Sequence, residues 1–231
     1  MLHSKEEQIR SLLLRGSFGL EKESLRVDAH GFLAHTPDPF SGEPHIVRDF
    51  CENQVEINTP VVYSSQEAVN QLERYTQQII RTLQKLPKPE YLWPFSNPPY
   101  IRSEKDIPVA QYYGAEAAKT DYRNYLSDRY GRYKMTFSGI HFNYAFSEEL
   151  LRADYILSKE NDYQRYKNKF YVELAEQAAA YGWLMVAVTA ASPLLDSSYA
   201  AKNQIGTNLF NGMVTSRCSE LGYWNSFTPV F

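Results

Sequence analysis

The sequence predicts an α+β fold with an antiparallel or mixed sheet, and three observations carry that expectation. Phe18–Val27 alternates like a strand, Asn53–Asn58 is a second strand candidate, and Tyr133–Phe146 is the longest strand-like run. Other stretches keep helical spacing, most clearly Val69, Leu72, Ile79, Ile80 and Leu83. Strands and helices interleave without the regular rhythm of βαβ units, which argues against a parallel sheet.

Helix signals open the chain over roughly His3–Arg15, and the first strand follows, closed by an Asp28-Ala-His-Gly31 turn. Three prolines and a Ser-Gly make residues 35–44 an irregular loop. The second strand stops before Pro60. Ser64-Ser-Gln-Glu67 is a capping box that starts a helix running toward Pro87. Leu92–Pro99 holds three prolines among aromatics and reads as a rigid loop, a pocket wall or a connector. A short helix is expected over Asp121–Tyr130. The third strand carries Gly139 as a bulge or a point of close approach. A long helix spans about Asp162–Thr189 and ends before Pro193; its most apolar part, Ala178–Ala191, is too short for a membrane span, which needs about 20 residues, and reads as a buried core helix.

The 231 residues are enough to bury about 72% of the unfolded chain's surface, an ample core. Lys plus Arg number 24 against 27 Asp plus Glu, so neither a nucleic-acid footprint nor an acidic tail is expected. Met1–Gly16 is charged before its one apolar run, Leu12–Leu14, and does not have the form of a signal peptide. Two cysteines, Cys51 and Cys218, suit a reducing compartment better than a disulfide scaffold, so a cytoplasmic protein is expected. The 18 tyrosines fit either an enclosed pocket or a Tyr-rich core, and composition does not choose.

The informative stretch is Phe18-Gly-Leu-Glu-Lys-Glu-Ser-Leu-Arg-Val27. Residues two apart share one face of a strand, so Glu21 and Glu23 point the same way as Leu25 and Val27. Burying neighbouring anions costs several kcal/mol each unless a cation compensates. In the second strand, Glu52, Gln54 and Glu56 share one face and Val55 and Ile57 the other. Asp49 has the wrong parity but stands where the loop enters, so its direction is set independently. In the third, Ile140, Phe142, Tyr144 and Phe146 form an apolar stripe, with His141 and Asn143 opposite. If these strands are neighbours, one face gathers four or five carboxylates and an imidazole, a donor set that suits Mg²⁺ or Mn²⁺ better than zinc. Taken singly, each has a plainer reading. An E-x-E occurs on solvated sheet faces, Glu52 or Glu56 can pair with Arg48 or face solvent, and a lone strand histidine is commonly structural.

The first-strand segment resembles the opening signature of bacterial glutamate–cysteine ligases (γ-glutamylcysteine synthetases). The resemblance continues through Thr36-Pro, Asp49-Phe, Glu56-Ile-Asn-Thr-Pro60, Leu92-Trp-Pro-Phe-Ser, Ser138-Gly-Ile-His-Phe-Asn143, Ala191-Ser-Pro193 and Ser216-Arg-Cys-Ser-Glu-Leu-Gly-Tyr223, in family order. Tyr91-Leu-Trp-Pro and Ser96-Asn-Pro-Pro99 are most similar to the N-terminal module of bifunctional glutathione synthetases. The resemblance implies a curved, largely antiparallel sheet with flanking helices, of the glutamine-synthetase-like carboxylate–amine ligase type. It implies ATP-dependent ligation of the L-glutamate γ-carboxyl to the L-cysteine amino group through γ-glutamyl phosphate, with Mg²⁺ or Mn²⁺ as cofactor and no nucleic acid or membrane as partner.

Carried over position by position, Glu21, Glu23, Asp49, Glu56 and His141 match the metal-binding set, with Glu21, Glu23 and His141 at the chemistry. By analogy with glutamine synthetase, Glu23, Asp49 and Glu56 would share one metal, and Glu21 and His141 another. Phe50, Tyr122, Leu126, Arg217 and Tyr223 match positions lining the cysteine pocket. Met135 stands where some members carry a polar residue, so no glutamate contact is assigned there. The family's module also carries a metal-binding glutamate and a glutamate-binding arginine beyond Phe231. Residues 1–231 are therefore expected to be the N-terminal part of a catalytic domain, incomplete alone, with a downstream glutathione-synthetase module in a bifunctional parent. Two other readings stay open: a metal-dependent hydrolase using the same acidic cluster, and a polypeptide that is inactive by itself.

Overall fold

A computed structural model describes residues 2–189 together with Asp196 and Ser198. Along the chain lie α1 (Glu7–Arg10), β1 (Gly16–Val27), β2 (Ile46–Arg48), β3 (Gln54–Asn58), α2 (Ser65–Gln84) and β4 (Tyr91–Leu92). Then follow α3 (Ala117–Tyr130), β5 (Ile140–Phe146), α4 (Glu148–Leu157), α5 (Tyr163–Ala180) and α6 (Gly182–Thr189). β2 pairs with β3, β3 with β1 and β1 with β4, each antiparallel, in the order β2-β3-β1-β4, and β5 also pairs with β1. The mixed helix and antiparallel sheet expected from the sequence is therefore present.

The described residues fall into two compact units, one of residues 2–20, 59–71 and 142–189, the other of 21–58 and 72–141. In the first, Leu12, Leu150, Leu151 and Phe170 form a buried cluster joined by Phe146 and Tyr163. Ser147 and Asp162 cap α4 and α5 by accepting the N–H groups of Leu150 and Arg165. Asp154 is buried in α4, and its carboxylate accepts the His3 N–H at 2.7 Å and the Tyr166 hydroxyl at 2.6 Å. That satisfies a charge which would otherwise be stranded without water.

The second unit has a core on each face of the sheet. In the β1–β3 register Ser24 lies opposite Val55 and Lys22 opposite Ile57. Val55 and Ile57 pack with Phe40, Ile46 and the Tyr75, Ile79 and Leu83 positions of α2. Of the stripe the helical spacing predicted, Leu72, Ile79 and Leu83 join this core, whereas Val69 is exposed and Tyr75 takes a place the spacing did not include. On the other face Leu25 and Val27 pack with Phe50, Cys51, Ile101, Ile107 and Val109. Arg26, 1% exposed, reaches Glu90 at 2.8 Å, the Thr36 carbonyl at 2.9 Å and the Glu52 carbonyl at 3.0 Å. One side chain thus fastens β1 to three connecting segments, and Thr36 of the Thr-Pro motif bonds to Glu90 as well.

Several expectations are corrected. Tyr133–Thr136 is a 3₁₀ turn, so the third strand begins only at Ile140. The turn's side chains account for this: Tyr133, Met135 and Phe137 pack on the Leu25 core, successive odd positions gathered by a coil that periodicity alone reads as a strand. Leu92 sits within a short strand because Leu92 pairs with Arg26, and Trp93 donates to the Leu25 carbonyl at 2.8 Å. The opening helix keeps only Glu7–Arg10, and α4 and β2 were not anticipated. The long helix is divided between Ala180 and Gly182. Its apolar end is not buried: Trp183, Met185 and Val188 are 66%, 62% and 75% exposed. Ile140 and Phe142 of the apolar stripe are likewise exposed.

Candidate functional site

The acidic face is built within the second unit, from residues the strand periodicity places together. Glu23 of β1 and Glu56 of β3 are directly opposed across the antiparallel ladder, and Glu21 is opposed to Asn58. Like charges opposite one another destabilise a sheet, so this register is costly unless something positive sits above it. Gln54 shares the face, as parity requires, lying opposite Leu25. Glu52 does not join it. The chain turns at Glu52, and its carboxylate binds Arg48 at 2.7 and 2.8 Å and accepts the Gln111 N–H at 2.7 Å.

β5 brings the imidazole. His141 Nδ1 lies 2.9 Å from Glu21 Oε2. Gly139, just before the strand, makes a reciprocal pair with Glu23: its N–H donates to Oε2 at 2.9 Å and its carbonyl accepts the Glu23 N–H at 3.0 Å. A Cβ at Gly139 would stand 3.4 Å from His141 Nε2 and 3.8 Å from Glu23 Oε2. These are ordinary contact distances, so the space at Gly139 does not itself demand glycine.

Asp49 lies in the connection between β2 and β3 with its N–H on the Gln54 carbonyl at 3.0 Å. Its carboxylate accepts the Phe50 N–H and feels the charges of Arg123, His141 and Glu21. The five acidic and imidazole groups thus act on one another. Burial first, then the nearby Asp49 charge, pushes both Glu23 and Glu56 up to about 7. Burial also raises Asp49, partly offset by Arg123. Burial alone would lower His141, but its hydrogen bond to Glu21 and the Glu23 charge raise it. At neutral pH the face is a set of carboxylates that repel and share protons.

Among the described residues, no three His, Cys, Asp or Glu side chains already stand as ligands of one ion. The donor set nonetheless has the chemistry of a hard divalent cation site: oxygens dominate and one imidazole joins them. Side-chain rotation would be needed to close the oxygens around an ion. Cys51 takes no part, since it is wholly buried and burial drives its thiol upward.

Of the expected acceptor-pocket residues, Phe50 is 1% exposed within the Leu25 core and Leu126 packs against that same cluster. Tyr122, one turn before Leu126 on α3, is 59% exposed and stacks on Tyr125. Met135 also packs on the Leu25 core. Arg217 and Tyr223, with the motifs at 191–193 and 216–223, lie outside the described residues. The residues that sequence reasoning missed are Arg123 and Tyr112, which contact the Asp49 segment from α3 and the loop before it. The one signal for them was the parity of Asp49, which demanded some outside support.

Residues 2–229 match the family model described as glutamate-cysteine ligase. The glutathione biosynthesis bifunctional protein of Listeria welshimeri is 35% identical over 96% of this chain and 30% of its own length. The glutamate–cysteine ligase of Clostridium acetobutylicum is 37% identical over 84% of this chain and 41% of its own. The crystal structure of a bifunctional glutathione synthetase from Pasteurella multocida superposes with a TM-score of 0.81 at 31% identity, covering 96% of this chain and 29% of that one. That of a Francisella tularensis glutamate–cysteine ligase in complex with AMP gives 0.65 at 27% identity, covering 80% of this chain and 37% of that one. This chain thus spans about 30% of the length of the bifunctional relatives it matches.

Proposed function

The chain belongs to the glutamate–cysteine ligase family, and from that premise we propose that it carries the acidic half of a site that joins the γ-carboxyl of L-glutamate to the amino group of L-cysteine with ATP, the first step of glutathione biosynthesis. The observation that carries this reading is the convergence of Glu21, Glu23, Asp49, Glu56 and His141 on one sheet face, with Glu23 and Glu56 pushed up to about 7. The chemistry asks for such a face. A carboxylate is a poor acyl donor and is activated by phosphoryl transfer to γ-glutamyl phosphate. Bringing a polyphosphate beside a glutamate anion requires compensating charge.

Mg²⁺ or Mn²⁺, when bound, would neutralise the phosphate oxygens and polarise the γ-phosphoryl group. Glu23, Asp49 and Glu56 would hold one ion, and Glu21 with His141 another. The cross-strand opposition of Glu23 and Glu56 and the separate Glu21–His141 hydrogen bond support that division. Gly139 fixes Glu23 by hydrogen bonds at both its backbone and its carboxylate, so this oxygen is aimed before any ligand arrives. Phe50 and Leu126 would form the apolar backing of the acceptor pocket, with Tyr122 and Arg217 and Tyr223 of the carried-over set completing it. The resemblance supports a glutamine-synthetase-like sheet. The bifunctional relatives support a downstream synthetase module. Among the described residues no helix is long and apolar enough to cross a membrane. A cytoplasmic location is proposed from the cysteine usage.

The test is ADP release by the full-length protein that contains these residues. It should require L-glutamate, L-cysteine and Mg²⁺ together, and Glu23→Gln should reduce it by at least about 100-fold with folding retained. Wild-type turnover in both Glu21→Gln and Glu23→Gln would remove the metal assignment.

A further inference from the structure

Strand periodicity aims Glu21, Glu23 and Glu56; Asp49 stands one residue past β2, where its N–H on the Gln54 carbonyl at 3.0 Å continues the β2–β3 register. Its surroundings supply a further support. The Asp49 carbonyl accepts the Nε–H of Arg123 from α3. Arg123 also donates through Nη2 to the Arg48 carbonyl at 3.3 Å and through Nη1 to the Lys119 carbonyl of its own helix at 2.9 Å. The Tyr112 hydroxyl donates to that same Arg48 carbonyl at 2.7 Å. The Tyr112 ring then carries three cations: Arg48 and Arg123 with guanidinium carbons 4.5 and 4.8 Å from its centroid, and the Lys119 ammonium at 5.1 Å.

The tyrosine is itself fastened to α3, since its N–H donates to Thr120 Oγ1 at 2.7 Å. Two consecutive carbonyls, those of residues 48 and 49, are thus held by donors from a helix and from a tyrosine whose ring lies against two guanidinium groups. Arg123 donates to three backbone oxygens and so pins the peptide that carries Asp49, while its charge also favours the Asp49 carboxylate. A cation stacked on an aromatic face is worth about 0.5–2 kcal/mol and rigidifies both partners. Lysine in place of Arg123 would keep the charge but lose the planar fork that spans both carbonyls.

We infer that Arg123 and Tyr112 are positioning residues that set the Asp49 carboxylate into the acidic face and thereby determine its affinity for a divalent cation. This rests on the metal-holding reading of that face. Residues that orient metal ligands change affinity by about 10–100-fold when removed.

The probe is Mn²⁺ alone, followed by electron paramagnetic resonance, with hydrogen exchange of the Asp49 and Gln54 amides measured in parallel. In Arg123→Gln, Mn²⁺ affinity should fall about 10–100-fold, and the Asp49 amide should exchange at least about 10-fold faster. Arg123→Lys should recover part of both. Tyr112→Phe keeps the ring and removes only the hydroxyl, so it should show a smaller change in the same direction and serves if Arg123→Gln does not fold. Unchanged Mn²⁺ affinity in a folded Arg123→Gln or Tyr112→Phe variant overturns the inference. If the unaltered protein binds no Mn²⁺, the metal reading fails instead. Exchange then judges the clamp: faster exchange in the variants upholds the positioning of Asp49, and unchanged exchange overturns it.

Discussion

Glu23 and Glu56 take their chemistry from their surroundings. Both carboxyls sit at about 7, against an ordinary glutamate value near 4.5. A folded-state pKa above the unfolded one means that the folded protein binds more protons between those values. Stability therefore falls as pH rises through that window. His141, also raised, contributes in the same direction, its stabilisation being lost as pH climbs through its folded pKa. Without divalent ions, the melting temperature is expected to drop between about pH 5 and pH 8, and Glu56→Gln should flatten that slope. A slope of opposite sign over that range in thermal melts would contradict the mutual repulsion described. Arg26 and Glu90, 1% and 3% exposed, make a second prediction. Glu90→Gln leaves a buried guanidinium uncompensated and should cost about 3–5 kcal/mol in denaturant titrations, as for other broken buried pairs.

The sheet face was legible in the sequence at the level of elements because strand geometry has period two. The same counting that put Glu21 beside Glu23 put Gln54 beside Glu56, and the ladder then opposed Glu23 to Glu56. Glu52 fell out of that count because the chain turns before the ladder begins, and its carboxylate went to Arg48, the plainer of its two readings. Asp49 had the wrong parity because it follows β2, which was not anticipated and lies across a turn from β3, and its further support comes from residues over 60 positions away. The β5 boundary was misplaced for a related reason: Tyr133, Met135 and Phe137 alternate as in a strand, but pack from a tight turn. At the other face, Ile79 is wholly buried against Val55 and Ile57. Ile79→Ala should cost about 2–5 kcal/mol and slow no step of the proposed chemistry, a separation that equilibrium unfolding and ADP release together can check.

The described residues form two units, the first with one buried cluster and the second with two, and the site residues that lie among the described positions belong to the second. Composition foretold an ample core but not its partition. The apolar 178–191 stretch illustrates the limit: apolarity without helical periodicity says nothing of which face is covered, and Trp183, Met185 and Val188 stand exposed. The central claim is that carboxylates from separate strands converge on a shared divalent cation. Calorimetric titration with Mg²⁺ near pH 7, in two buffers of different ionisation enthalpy, tests it most directly. Since Glu23 and Glu56 are partly protonated there, saturable binding should release protons, and Glu23→Gln should weaken that binding and reduce the release. Absence of saturable binding, or binding that releases no protons and is untouched by Glu23→Gln, would contradict it.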